Sequence, residues 1–96
     1  MIYKIAEFKV RKSRLGECLK AIKAFVQAVK TNEPNTLIYD SYQKPDKVSF
    51  IHFMCFKNSQ AEAHHRTTPH VKKFVSVLYP NCAIKPIFTD LSRISE

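Results

Sequence analysis

The segment Val48 to Phe56 is apolar on both parities. Val48, Phe50, Met54 and Phe56 share one side with His52, and Ile51, Phe53 and Cys55 take the other. Side chains alternate across a strand, so such a run has to be covered on both faces. An antiparallel sheet with helices on one side ordinarily leaves its other side wet and polar. Here the second face needs a cover of its own, and 96 residues hold too few helices to supply it. A second copy pairing sheet to sheet would supply it, which makes a homodimer the expected assembly.

The segments around this strand set the fold class. Ile2 to Val10 reads as a first strand, with Ile2, Ala6, Phe8 and Val10 on one face and Tyr3 and Ile5 on the other. Ser13 offers an N-cap to a helix in which Leu15, Cys18, Leu19, Ile22, Phe25, Val26 and Val29 recur at spacings of three and four. Glu33-Pro34-Asn35 stops that helix, because proline disfavours helical backbone at the preceding residue and Asn tolerates a left-handed one. Thr36 to Gln43 is then a second strand, and the turn chemistry of Lys44-Pro45-Asp46-Lys47 folds Val48 to Phe56 back antiparallel.

Ser59-Gln60-Ala61-Glu62 fits a capping box opening a second helix. The helix is split or kinked near His65, since Thr68 can cap again and Pro69 suits a first helical position. Val71, Phe74, Val75 and Leu78 form the new stripe. Ala83 to Ile94 reads as a last strand, which Pro86 places at an edge or a bulge. The order strand, helix, strand, strand, helix, strand is the ferredoxin-like split pattern of α+β domains, with a four-stranded antiparallel sheet and both helices on one face.

Length and composition allow one domain over residues 1–96. No run approaches the ~18–20 apolar residues of a membrane span, and Lys4, Glu7 and Lys9 interrupt the first segment, so a cytoplasmic protein without membrane attachment is expected. Cys18, Cys55 and Cys82 are odd in number and lack CxxC spacing, which argues for free buried thiols. The net charge of +8 is spread over every segment without a nucleic-acid-binding signature. Nucleic acid is therefore not an expected partner; small anionic ligands are a better match to the charge.

Over essentially its whole length the chain resembles the antibiotic biosynthesis monooxygenase (ABM) family of dimeric α+β barrel proteins. Ile5-Ala6-Glu7-Phe8-Lys9-Val10 resembles the family's opening strand. Glu33-Pro34-Asn35-Thr36-Leu37-Ile38-Tyr39 resembles its Glu-Pro-Gly-x-Leu-x-Tyr entry to the second strand, with Asn35 at the glycine. Ala61, His65, Thr68-Pro69-His70-Val71-Lys72 and Phe74 resemble its second helix. The resemblance implies the ferredoxin-like fold, pairing as a dimeric barrel, and a ligand cavity between helices and sheet. It does not fix the chemistry, because the family includes cofactor-free oxygenases of quinols and polyketide phenols, haem-degrading enzymes and an isomerase of a phosphorylated sugar derivative. The haem-degrading branch relies on a Trp at the position of Phe56 and an Asn at that of Phe8, so haem degradation is disfavoured.

By the resemblance Phe56 faces the cavity, and period-two alternation then puts Met54, His52 and Phe50 on the same side. His52 and His65 are the candidate catalytic residues, and Phe8, Phe50, Met54, Phe56 and His70 the candidate substrate contacts. His52 is either a base for a phenolic substrate or a histidine satisfied by a neighbouring Tyr or carbonyl. His65 either points into the cavity at the helix break or bonds a carbonyl freed there. His70, in the first turn after Pro69, reads more readily as a surface or capping residue, and His64 as solvent-facing. No pair among His64, His65 and His70 has the i, i+3 or i, i+4 spacing that puts two ligands on one helix face, so no metal site is expected. No cofactor is expected either. The functional expectation is a cofactor-independent monooxygenase of a small quinol. The alternatives are an isomerase of a small phosphorylated carbonyl compound and a non-enzymatic ligand-binding dimer.

Overall fold

A computed structural model describes residues 1–95. Strand β1 (Ile2–Val10) leads through a single 3-10 turn (Lys12–Arg14) into helix α1 (Leu15–Asn32). A hairpin follows, β2 (Thr36–Gln43) and β3 (Ser49–Phe56), and then two short helices, α2 (Ser59–Thr67) and α3 (Pro69–Leu78). A second 3-10 turn (Tyr79–Asn81) feeds the last strand, β4 (Cys82–Leu91). The four strands form one antiparallel sheet in the order β2-β3-β1-β4. This is the ferredoxin-like α+β arrangement, with the second helix divided in two.

One sheet face carries the core. Ala6, Phe8 and Val10 of β1, Phe50, His52, Met54 and Phe56 of β3, and Tyr39 of β2 are all buried. They meet the stripe Cys18, Ile22, Phe25 and Val29 of α1, and Phe74 and Leu78 of α3. Cys18, Cys55 and Cys82 are buried free thiols. The other face is differently placed. Tyr3, Ile5, Ile51 and Phe53 are part-exposed, and Ile38, Tyr42, Ile87 and Leu91 are exposed. The register aligns these residues across the sheet, Leu91 and Cys55 flanking Tyr3, and Phe53 lying between Ile5 and Asp40. An apolar sheet face open to water is the outcome that the two-sided third strand foretold.

The hairpin turn is held by Asp46, whose Oδ1 accepts from the backbone amides of Val48 (3.0 Å) and Ser49 (2.8 Å). Lys47 adopts a left-handed φ of 72° to close it. Pro86 lies in β4, an edge strand, at the register shift between the Glu7–Ile87 and Lys9–Ile84 pairs, where its missing N–H is tolerated. No helix among the described residues is long and apolar enough to cross a membrane.

Three local expectations are corrected and one is met. Ser13 does not cap α1: it sits inside the 3-10 turn, and Arg14 occupies the cap without a side-chain bond. The capping box at Ser59 is not formed, because Asn58 precedes it and its Oδ1 accepts from the Ala61 amide at 2.9 Å. Glu62 pairs instead with Lys4 of β1. The second helix breaks where the sequence indicated, with Thr68 capping α3 and Pro69 at its first position. There the Thr68 hydroxyl donates to the His65 carbonyl (2.9 Å) and accepts from the Val71 amide (3.3 Å), doing for the backbone what the broken ladder no longer does. The last strand stops at Leu91, and Ile94 lies beyond it, almost fully exposed.

Candidate functional site

A cavity of about 510 Å³ lies between the core face of the sheet and helices α2 and α3. Phe8, Met54 and Phe56 form its floor, Phe74 and Val75 of α3 its roof, and Pro86 and Phe88 of the edge strand its rim. The strand order explains this placing. The central strands β1 and β3 put alternate side chains under the helices, while β4 projects beyond them and leaves Phe88 55% exposed.

His52 lines the cavity from the middle of β3 and is 1% exposed. Its Nδ1 is 2.9 Å from the Tyr39 hydroxyl, so the two share one proton-mediated bond. Its Nε2 is buried and has no partner among the described residues. Aromatic rings enclose it: Phe8 edge-on at 5.0 Å between centroids, and Phe25 and Phe74 stacked at 6.4 and 5.9 Å. Burial pushes the imidazole down to about 4, so it is neutral throughout the physiological range. Burial also raises Tyr39, helped by the charge of Glu33, and keeps it a neutral phenol. A buried nitrogen without a partner is uncommon, because desolvating it without a hydrogen bond costs about 1–3 kcal/mol.

His65 also lines the cavity, but its Nδ1 is engaged. Nδ1–H donates to both oxygens of Glu33, at 2.8 and 3.0 Å. Nε2–H of His70 donates to Oε2 of the same carboxylate, and the Thr36 hydroxyl donates to Oε1 at 2.7 Å. Glu33 is 3% exposed. Burial alone would raise its carboxyl, but the bonds from Thr36, His70 and His65 outweigh it and hold the group below the ordinary carboxylate range. Burial lowers His65 against the opposing pull of the Glu33 charge.

Some of the residues marked in the sequence meet here and others do not. His52, His65, Phe8, Met54 and Phe56 converge on one cavity. Phe50 does not join them. It shares their parity but sits at the start of β3, beneath α1, where it stacks on Phe8 (5.4 Å) and borders a groove with Leu19, Ile22 and Val26. His70 is neither a cap nor a free surface group: it is part-buried against Glu33 and opens toward the α1–α3 groove. His65 fixes the helix break through its carbonyl, while its ring turns to Glu33. Glu33 and Tyr39 were not recognised as site residues, since one reads as a helix stop and the other as a strand aromatic.

A profile of the antibiotic biosynthesis monooxygenase family matches residues 1–77. The chain belongs to that family. No curated protein matches it. Among solved structures, one described as an antibiotic biosynthesis monooxygenase is similar at a TM-score of 0.91 and 17% identity, covering 99% of this chain and 100% of that one. A candidate antibiotic biosynthesis monooxygenase from Caulobacter crescentus CB15 gives 0.88 at 24% identity, covering 98% and 90%. Rv0793 from Mycobacterium tuberculosis gives 0.89 at 20%, covering 99% and 96%. At these identities the likeness is one of fold. In this ABM member the polar end of the cavity is Lys4, which pairs with Glu62 and with Asp90 (3.4 Å) and so ties β1 to α2 and β4.

Proposed function

We propose that this ABM protein is a monooxygenase of a small quinol-type aromatic, bound in the cavity under α2 and α3 with its hydroxyl on Nε2 of His52. The observation that carries the reading is that partnerless nitrogen, buried in a wall of Phe8, Met54, Phe56 and Phe74. A flat apolar ring fits such a wall, and a shift of the enclosing aromatic rings lets a single hydroxyl reach the one buried polar atom left without a partner. The volume is of the size that holds one small ligand.

His52 is neutral when the substrate arrives. With the remaining proton on Nδ1, donated to the Tyr39 oxygen, Nε2 offers its lone pair and accepts the substrate's hydroxyl proton. The resulting anion spreads its charge onto a ring carbon that carries a hydrogen, which transfers electrons to dioxygen and binds it as a peroxide; the proton held on Nε2 returns to make it a hydroperoxide. Loss of water leaves a carbonyl, so one oxygen atom stays on the product and the other departs in water. The apolar walls keep bulk water from the anion and the peroxide.

The open sheet face supports a homodimer. Tyr3, Ile5, Ile51 and Phe53, with Ile38, Ile87 and Leu91 around them, form a continuous apolar surface of the kind that marks an interface. Two sheets packed on it back to back make a dimeric α+β barrel whose cavities lie on the outer sides.

Dioxygen uptake with a panel of naphthols, anthrones and hydroquinones tests the activity. Turnover of one member, lost in His52→Ala, is the expected result. Binding of these compounds without uptake would replace the oxygenase with a ligand-binding dimer, and no binding would overturn the reading.

A further inference from the structure

The cluster Glu33, His65 and His70 stands apart from the chemistry assigned to His52. It brings together three metal-ligating groups from three elements: the C-cap of α1, the last turn of α2 and the first turn of α3. One ligand atom of each, a carboxylate oxygen, Nδ1 of His65 and Nε2 of His70, lies within 4.8 Å of the others. Spacing rules for a continuous helix exclude this pair of histidines, which are five apart. The break at Thr68–Pro69 removes that objection, because it swings the start of α3 so that both rings meet Glu33.

We propose that Glu33, His65 and His70 form a binding site for a divalent transition-metal ion of the zinc class. Two imidazoles and one carboxylate are a common donor set for such ions, and the carboxylate already has the outer support such sites use, the Thr36 hydroxyl 2.7 Å from Oε1. Ligand atoms on a tetrahedral ion at about 2.0–2.1 Å lie about 3.3 Å apart by geometry. The His65–Glu33 separations of 2.8 and 3.0 Å need to widen by a few tenths of an ångström, and the closer His70–Glu33 contact has to open further. N–H protons fill the space the ion would take. Both histidines carry their other ring nitrogen away from Glu33, so each shifts its proton there and presents a lone pair without leaving the site. A surface depression of about 220 Å³ bordered by Glu33, Asn35, Thr36, Ala61 and His64 approaches the cluster from the carboxylate side.

The ion would sit behind the cavity wall, not at His52. Its role is to clamp the α1–β2 corner to both sides of the helix break and to fix the ring of His65, which the cavity shares. This inference is independent of the oxygenase reading, because it uses neither the substrate nor His52.

The test uses the untagged full chain, stripped by a chelator, with Co²⁺ followed by absorption and Zn²⁺ by calorimetry and thermal melting. One ion per chain is expected, with ligand-field bands of a nitrogen–oxygen site, no thiolate charge-transfer band, and a Tm raised by zinc. Removing a direct ligand should cost more than the roughly 10–100-fold typical of outer-shell changes. His70→Gln, at a part-buried position, and Glu33→Gln should each weaken binding by at least that much. Glu17→Gln, an exposed carboxylate at the opposite end of α1 from Glu33, should leave it unchanged. Absence of saturable uptake, uptake unaltered in His70→Gln, loss in Glu17→Gln, or a thiolate band from Cys18 or Cys82 would each overturn the site.

Discussion

The Tyr39 hydroxyl lies 2.9 Å from Nδ1 of His52, and both side chains are sealed in the core, one on β2 and one on β3. This bond decides which nitrogen of His52 is left for a ligand. It also ties two strands together: residues 39 and 52 sit on neighbouring strands, with Tyr39 opposite Met54 in the register. Removing the hydroxyl leaves Nδ1 as stranded as Nε2. Tyr39→Phe should therefore lower stability by about 1–3 kcal/mol, read as a shift in the urea midpoint at constant slope. An unchanged midpoint would mean that the bond contributes nothing net.

The burial of His52 carries a pH signature. Its folded value is about 4 against an ordinary 6.5, so between those limits the unfolded chain binds a proton that the folded chain refuses. Stability from this group is complete above pH 6.5 and is lost as pH falls toward 4, by up to about 3 kcal/mol at 1.36 kcal/mol for each pKa unit. Chemical denaturation of the wild type and of His52→Leu, from pH 7.5 to 4.5, checks it. The wild type should lose more stability across that range than the variant; parallel profiles would place the histidine in contact with water.

Much of the fold was legible in the residues. The stripe Leu15 to Val29, the turn at Lys44 to Lys47 and the two-sided strand through Phe56 are each set by local periodicity, and each stands where the pattern put it. Caps were less legible, because Ser13 and Ser59 compete with neighbours one residue away, and tertiary geometry chose Asn58. The site divides in the same way. Strand alternation placed His52, Met54 and Phe56 on one wall, since parity is a local property. How far along the strand the cavity extends depends on where α2 and α3 lie, so Phe50 was misplaced. Glu33 was hidden for the strongest reason: its partners are 32 and 37 residues away, across a helix break that no spacing rule spans.

The open sheet face makes a prediction about assembly. Phe53 lies near its centre, between Ile5 on β1 and Asp40 on β2, and is part-exposed in the single chain. Phe53→Lys should leave the domain folded, since the side chain is outside the core, and should shift the species seen by light scattering from dimer to monomer. A wild type that runs as a monomer at micromolar concentration would contradict the dimer outright.

Contact between the substrate and Nε2 of His52 is open to nitrogen-15 NMR of histidine-labelled protein, titrated with 1-naphthol without dioxygen. Nε2 of His52 should change markedly while Nδ1, held by Tyr39, moves little, and His52→Gln should remove the response. Saturable naphthol binding with both ring nitrogens of His52 unmoved would contradict it.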